Sequence, residues 1–321
     1  MSSTNAPSPR RRRLQVREVF GLSPVPVRAR EAWIALRGDG EVPPTRFDAT
    51  SLGVLDVSLS LRTWAGRRRR DRRVPISNLF NRVPTPWQEG WSVRKTQVRD
   101  FRGGTLTYDS HNGTDFAIPV GTTVVAAAPG KVLRVSSEFN RGGLKVFIDH
   151  GRGLVTTSNH LARALVRPGD VVRRGEPVAL SGYSGLDGLV MFPWSVPHVH
   201  FNVWLDGAYT DPFAAEGETP LWIHGNEPRP HEGPVDEAWS PTPWDAAAVE
   251  EAIRACRPVE TRAALEAERD PERRAMNTLF QLNYFPARFS ALPRLVVGEH
   301  PREPRLTLPF RAEDFEGVAF A

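Results

Sequence analysis

The chain has 321 residues, 40% of them apolar, with 29 prolines and a formal charge of +5, which points to a globular core with long irregular segments. No apolar run approaches the ~20 residues of a membrane-spanning helix, and a single cysteine, Cys256, excludes an intrachain disulfide. The positive excess is clustered at Arg10–Arg13 and Arg67–Arg73. Such runs favour anionic partners such as nucleic acid, anionic lipid or an acidic cell-wall polymer, with a solvated tail or loop as the plain alternative.

Residues 1–13 are rich in Ser, Pro and Arg and are expected to be a disordered basic tail. Leu14-Gln15-Val16-Arg17-Glu18 follows the arginines, so no secretory or twin-arginine signal is expected; export would need another route or a different start. Residues 14–104 read as a flank packed on the central domain. Glu31–Arg37 and Leu52–Arg62 have apolar residues near period two and suggest strands. Ser77–Arg82 and Trp87–Trp91 read as loops anchored by aromatics.

Residues 105–215 carry short β-rich runs between Gly/Pro turns. These are Thr122–Ala128, Lys131–Ser136, Leu144–Asp149, Gly153–Thr157, Pro177–Ser181 and His198–Trp204. The spacing predicts a mainly β, antiparallel sheet within an α+β chain. Residues 216–243 are rich in Pro, Gly and charge and read as a linker or surface-hugging loop. Residues 244–321 form a small helical region. Asp245 is the expected first N-cap, Pro258 ends that helix, a second covers about 261–268, and Asp270-Pro271 starts a third.

The chemistry concentrates in the β-rich stretch, where His111, His150, His160, His198 and His200 are five of the eight histidines. On a strand, His198, His200, Asn202 and Trp204 share one face, and Val199, Phe201, Val203 and Leu205 share the other. Two histidines at i and i+2 sit ~7 Å apart, close enough to serve one site. In His111-x-x-x-Asp115 the intervening Asn112-Gly113 is turn chemistry, which folds a histidine back beside a carboxylate. One histidine, one aspartate and a further histidine make a three-ligand set with an open fourth position, the arrangement of catalytic zinc.

His111-x-Gly-x-Asp115, Asn159-His160-Leu161 and His198-x-His200-Phe201 occur in order, with similar connecting turns. Together they resemble the zinc endopeptidases of the lysostaphin/LytM type, peptidase family M23, over about a third of the chain. The resemblance implies a LytM-like catalytic domain with Zn2+ held by His111, Asp115 and His200. His160 and His198 would be the catalytic pair, and peptide bonds in bacterial peptidoglycan stems or cross-links the substrate. It also implies a cell-envelope or secreted location; contact with an anionic polymer through Arg67–Arg73 is an expectation from the charge cluster alone. His150 ends a strand in an Asp-His-Gly turn and reads as structural.

Two departures mark the expected substrate groove. Ser158 stands where the family often has a tyrosine, and Met191-Phe192-Pro193-Trp194 replaces a small, Gly/Thr-rich approach to His198. Ser158, Phe192, Trp194 and Asn202 are therefore the expected groove residues. Two rival readings are a catalytically inactive binding or activator module of the same fold, and an arginine-rich nucleic-acid binder. The first is opposed by the presence of all five site residues, the second by the lack of an aromatic base-stacking platform.

Overall fold

The computed structural model describes residues 13–86, 89–186, 190–233 and 238–321. The expected basic tail, apart from Arg13, and Trp87 lie outside the described residues.

Eleven strands among the described residues form one sheet. They are β1 Arg73–Asn78, β2 Thr114–Ala117, β3 Thr123–Val125, β4 Gly130–Glu138, β5 Gly143–Asp149, β6 Leu154–Ala164, β7 Val171–Val172, β8 Pro177–Ser181, β9 His198–Leu205, β10 Ala208–Tyr209 and β11 Gly317–Phe320. The main order is β11-β1-β2-β9-β6-β5-β4-β7, with β10 on β9 and β8 joining β3 to β6. The strand pairs are antiparallel, as expected, except that β11 lies parallel to β1.

Alternation gives the sheet two faces. Phe116, Val146, Ile148, Leu154, Val199, Phe201 and Val203 bury the main core against Trp222, Leu306, Leu308 and Phe310. Phe147, Val155 and Trp204 project from the opposite face into a second core. That core is closed by three helices, α4 Ala246–Ala255, α5 Val259–Ala267 and α6 Pro271–Tyr284. Their caps follow the chemistry read from the sequence: Asp245 accepts from Ala247 and Ala248 N–H, and Asp270 accepts from Arg273 N–H ahead of Pro271 at N1.

The N-terminal flank departs from expectation. Glu31–Arg37 lies in a helix, α2 Val25–Arg37, and Val57–Trp64 is a helix, α3; a short α1, Val16–Val19, precedes them. In α2 a proline in the first turn and a run of Ala, Glu and Leu outweigh the apparent alternation. In α3 the side chain of Asp56 caps Leu59 N–H at 2.8 Å. Residues 49–54 form a 3-10 turn. Conversely, the loop expected from Ser77 begins inside strand β1.

The described residues of the stretch 216–243 form no helix or strand, but the stretch is no free linker, because Leu221 and Trp222 are buried in the main core. The run Arg67–Arg73 is tied to the far end of the chain. Arg68 pairs with Asp314 at 2.8 Å and Arg72 with Glu316 at 2.7 Å, beside the β1–β11 pair.

Candidate metal centre and active site

Three adjacent strands, β2, β9 and β6, place the site at one end of the sheet face opposite the main core. In the β2–β9 ladder Asp115 is directly opposite His200, so both side chains leave the same face. The turn before β2 returns His111 to the same spot. Gly113 makes this possible, since a Cβ there would meet His200 Nε2 and the Phe201 carbonyl oxygen, each at 2.7 Å.

His111 Nε2, Asp115 Oδ1 and His200 Nδ1 form a closed triangle. Its edges are 3.1 Å from His111 to Asp115, 2.7 Å from Asp115 to His200 and 3.2 Å between the histidines. All three residues are buried. The remaining polar atoms have partners. His111 Nδ1–H donates to the Leu79 carbonyl at 2.6 Å, and Asn78 Nδ2 donates to Asp115 Oδ2 at 3.0 Å. His200 Nε2 has the Asn112 Oδ1 acceptor at 3.2 Å. With Nε2–H donated there, the triangle consists of three lone pairs facing one another. That donor set fits a divalent cation, and its edges are close to the ~3.3 Å between ligands at ~2.0 Å in tetrahedral zinc. Burial works to raise the Asp115 carboxyl, but the charges of His111 and His198, with the bonds from His111 and His200, hold it well below the usual range. Burial pushes His200 down, opposed by Asp115.

His198 leaves β9 on the same face, two positions before His200. Its Nδ1 donates to the Val196 carbonyl at 2.7 Å, and its Nε2 lies 3.6 Å from Asp115 Oδ1. His160 arrives by a different device. Ser158 and Leu161 both face the main core, although three positions apart. One extra residue is therefore inserted between them, accommodated by a left-handed φ of 59° at His160. The insertion turns His160 onto the site face, where Nδ1 donates to the Ser184 carbonyl at 2.8 Å. Its ring lies 4.6 Å from that of His198 and 6.2 Å from that of His200, centroid to centroid. Burial first, then the nearby His198 and His200, hold His160 well below the ordinary imidazole range. Both imidazoles thus have Nδ1–H committed to a backbone carbonyl and Nε2 left for chemistry.

The other expected residues are distributed as follows. Ser158 pairs with Phe201 and sits, 6% exposed, on the main-core face. Asn202 is buried on the site face, its Nδ2 donating to Asn112 O and Oδ1 at 2.9 Å each. Phe192 and Trp194 are 48% and 51% exposed. Phe192 stacks edge-on against Phe20 and Trp64, and Trp64 against Tyr183, whose ring is 6.2 Å from His198. Ser60 of α3 fixes the backbone beyond it by donating to the Pro193 and Ser195 carbonyls. His150 is buried, its nitrogens bonded to the Pro129 carbonyl and Thr156 Oγ1.

Several site contacts were not anticipated. Asn78 at the end of β1 and the adjoining Leu79 bond Asp115 and His111, Tyr108 places its ring 4.6 Å from that of His111, and Tyr284 reaches Asn202 from α6. The Asn-Gly turn was visible in the sequence, but the distant partners carry no local signal.

Residues 109–212 match the model of peptidase family M23. This segment is an M23 domain. The peptidoglycan DD-endopeptidase ShyA of Vibrio cholerae is 37% identical over 134 residues, 41% of this chain and 29% of that protein. An uncharacterized metalloprotease of Haemophilus influenzae is 34% identical over 106 residues, 33% of this chain and 21% of that one. A crystal structure of a zinc-containing peptidase from Vibrio cholerae is 28% identical, with a TM-score of 0.32, covering 45% of this chain and 39% of that one. The chain thus spans less than a third of the length of either curated relative. His111, Asp115, His160, His198 and His200 all fall inside the M23 segment, whereas Asn78, Leu79 and Tyr284 fall outside it.

Proposed function

We propose that the chain is a zinc endopeptidase that hydrolyses peptide bonds in the stems or cross-links of bacterial peptidoglycan. The observation that carries this reading is the triangle of buried lone pairs on His111, Asp115 and His200, with two more imidazoles beside it in an M23 domain. Relatives named peptidoglycan DD-endopeptidases support the substrate class and a cell-envelope or secreted location.

Zinc held by His111 Nε2, Asp115 Oδ1 and His200 Nδ1 would supply Lewis acidity, easing the build-up of negative charge on a peptide oxygen. His160, kept neutral by burial, is poised to accept a proton at Nε2 from the attacking water. His198, more exposed and 3.6 Å from Asp115 Oδ1, faces the carbonyl oxygen with Nε2 and donates to it when its ring is protonated, while the proton that His160 took from the water is the one returned to the departing amine. The Leu79, Ser184 and Val196 carbonyls fix three of these rings, so little reorientation accompanies the proton transfers. Phe192 and Trp194 border the groove that receives the peptide, while the fully buried Asn202 lies behind His200 and does not reach it. The exposed Arg67 and Arg70 are the residues through which an anionic wall polymer would be held.

Metal analysis of the purified chain tests this reading. One zinc per chain is expected in the wild type and none in His200→Ala. His160→Ala and His198→Ala should keep zinc while cleavage falls about 10²–10⁴-fold. A wild-type chain without zinc would favour the inactive binding module instead, and a His198→Ala variant with full activity would remove His198 from the catalytic pair.

A further inference from the structure

We infer that the C-terminal helix completes the metal site: Tyr284, the last residue of α6, is a positioning residue that acts on ligand His200 through Asn202 and Asn112. The inference rests on the metal reading above. It assigns a role to a residue well outside the M23 segment.

The site-side face of β9 changes function along its length. His198 and His200 serve the site, Trp204 packs in the helical core, and Asn202 lies between them. Tyr284 enters at that junction, its ring 6.4 Å from that of Trp204 and 4.7 Å from that of Phe280. Its hydroxyl donates to Asn202 Oδ1 at 3.2 Å, and Asn159 Nδ2 donates to the same oxygen at 2.8 Å. Asn159 Nδ2 also reaches the Tyr284 hydroxyl oxygen at 3.4 Å.

Two donors on one side of the Asn202 amide fix which way it points. Oδ1 must face Tyr284 and Asn159, so Nδ2 must face the ligands. Nδ2 then meets Asn112 O and Oδ1, and lies 2.9 Å from His200 Nε2. His200 Nε2 therefore has an acceptor, Asn112 Oδ1 at 3.2 Å, and a donor, Asn202 Nδ2, at hand together. The amide pair can satisfy either tautomer of the imidazole. Without metal, Nδ1–H can donate to Asp115 Oδ1 at 2.7 Å while Nε2 accepts from Asn202. When a cation takes the Nδ1 lone pair, the proton resides on Nε2 and donates to Asn112. Removing the Tyr284 hydroxyl leaves Asn159 as the one donor to Asn202 Oδ1 and so weakens this support. Groups that orient a ligand in this way typically change metal affinity about 10–100-fold when mutated.

The test uses the full chain stripped of metal, with zinc affinity measured by competition against a chromophoric chelator and stability by thermal melting without metal. Tyr284→Phe should bind zinc about tenfold more weakly, and Asn202→Ala about 10–100-fold more weakly. The metal-free melting temperature of Tyr284→Phe should stay near that of the wild type. Phe285→Leu, at a buried neighbour whose ring packs on Phe280 and Arg288, should show the reverse: a lower melting temperature and unchanged zinc affinity. Wild-type zinc affinity in Tyr284→Phe would overturn the positioning role alone. A wild-type chain that binds no zinc would overturn the metal reading and this role with it.

Discussion

His150 and His160 are both buried histidines of the same domain, yet their surroundings give them different uses. His160 bonds a backbone carbonyl through one nitrogen and keeps the other facing two imidazoles. His150 spends both nitrogens, and burial pushes its pKa down to about 3, against hydrogen bonding to Pro129, which works the other way. A folded-state value below the ordinary 6.5 means that the unfolded chain binds the extra proton first. Its stability contribution is therefore complete above about pH 6.5 and is lost as pH falls toward 3. In metal-free protein, wild type should lose roughly 2–3 kcal/mol more than His150→Asn between pH 7 and 4.5, read from urea midpoints. Equal losses would remove His150 from the account. That His111 folds back beside Asp115, and that His198 and His200 share a face, was legible because an Asn-Gly turn and strand alternation are local rules; the choice of His200 as the third member came from the family resemblance. That Ser158 and His160 lie on opposite faces was not legible. Ser158 follows regular alternation on the main-core face, and the residue inserted at Asn159-His160 is what separates it from His160; nothing short of the ladder register on both sides reveals that.

The loop before His198 and helix α3 act together at the scale of elements. Phe192 packs on Phe20 and Trp64 from the N-terminal flank, and Ser60 holds the carbonyls of Pro193 and Ser195. The flank therefore buttresses the loop before His198, which is one wall of the proposed groove. Replacing Phe192 and Trp194 by alanine should change the ranking of peptide substrates while leaving zinc content at one per chain. Unchanged kcat/KM across a panel of cross-link peptides would remove these residues from substrate choice. The flank was also where local reading failed. Leu52–Arg62 has apolar residues at nearly every second position, but Asp56 is a better guide than the alternation because its carboxylate caps the helix that follows. The C-terminal helices were legible because Asp245 and Asp270-Pro271 are strong start signals.

Across the whole molecule, the M23 segment is supported from both ends of the chain. Asn78 at the end of β1 and the adjoining Leu79 bond Asp115 and His111, and β11 pairs in parallel with β1. Arg68 and Arg72 secure that pairing by meeting Asp314 and Glu316. The arginine run, read from the sequence as a patch for an external anion, is thus partly committed within the chain. Its partners lie more than 240 positions away, and no local pattern identifies them. α6 brings Tyr284 to the site from the other direction. The central claim is that this assembly cuts peptidoglycan peptides with a bound metal. Digestion of purified peptidoglycan, with products read by mass, tests it most directly. The account predicts peptide-bond cleavage that is abolished by chelator, restored by zinc and absent in His200→Ala. No product from any peptidoglycan type, or cleavage indifferent to chelator and to His200→Ala, would contradict it.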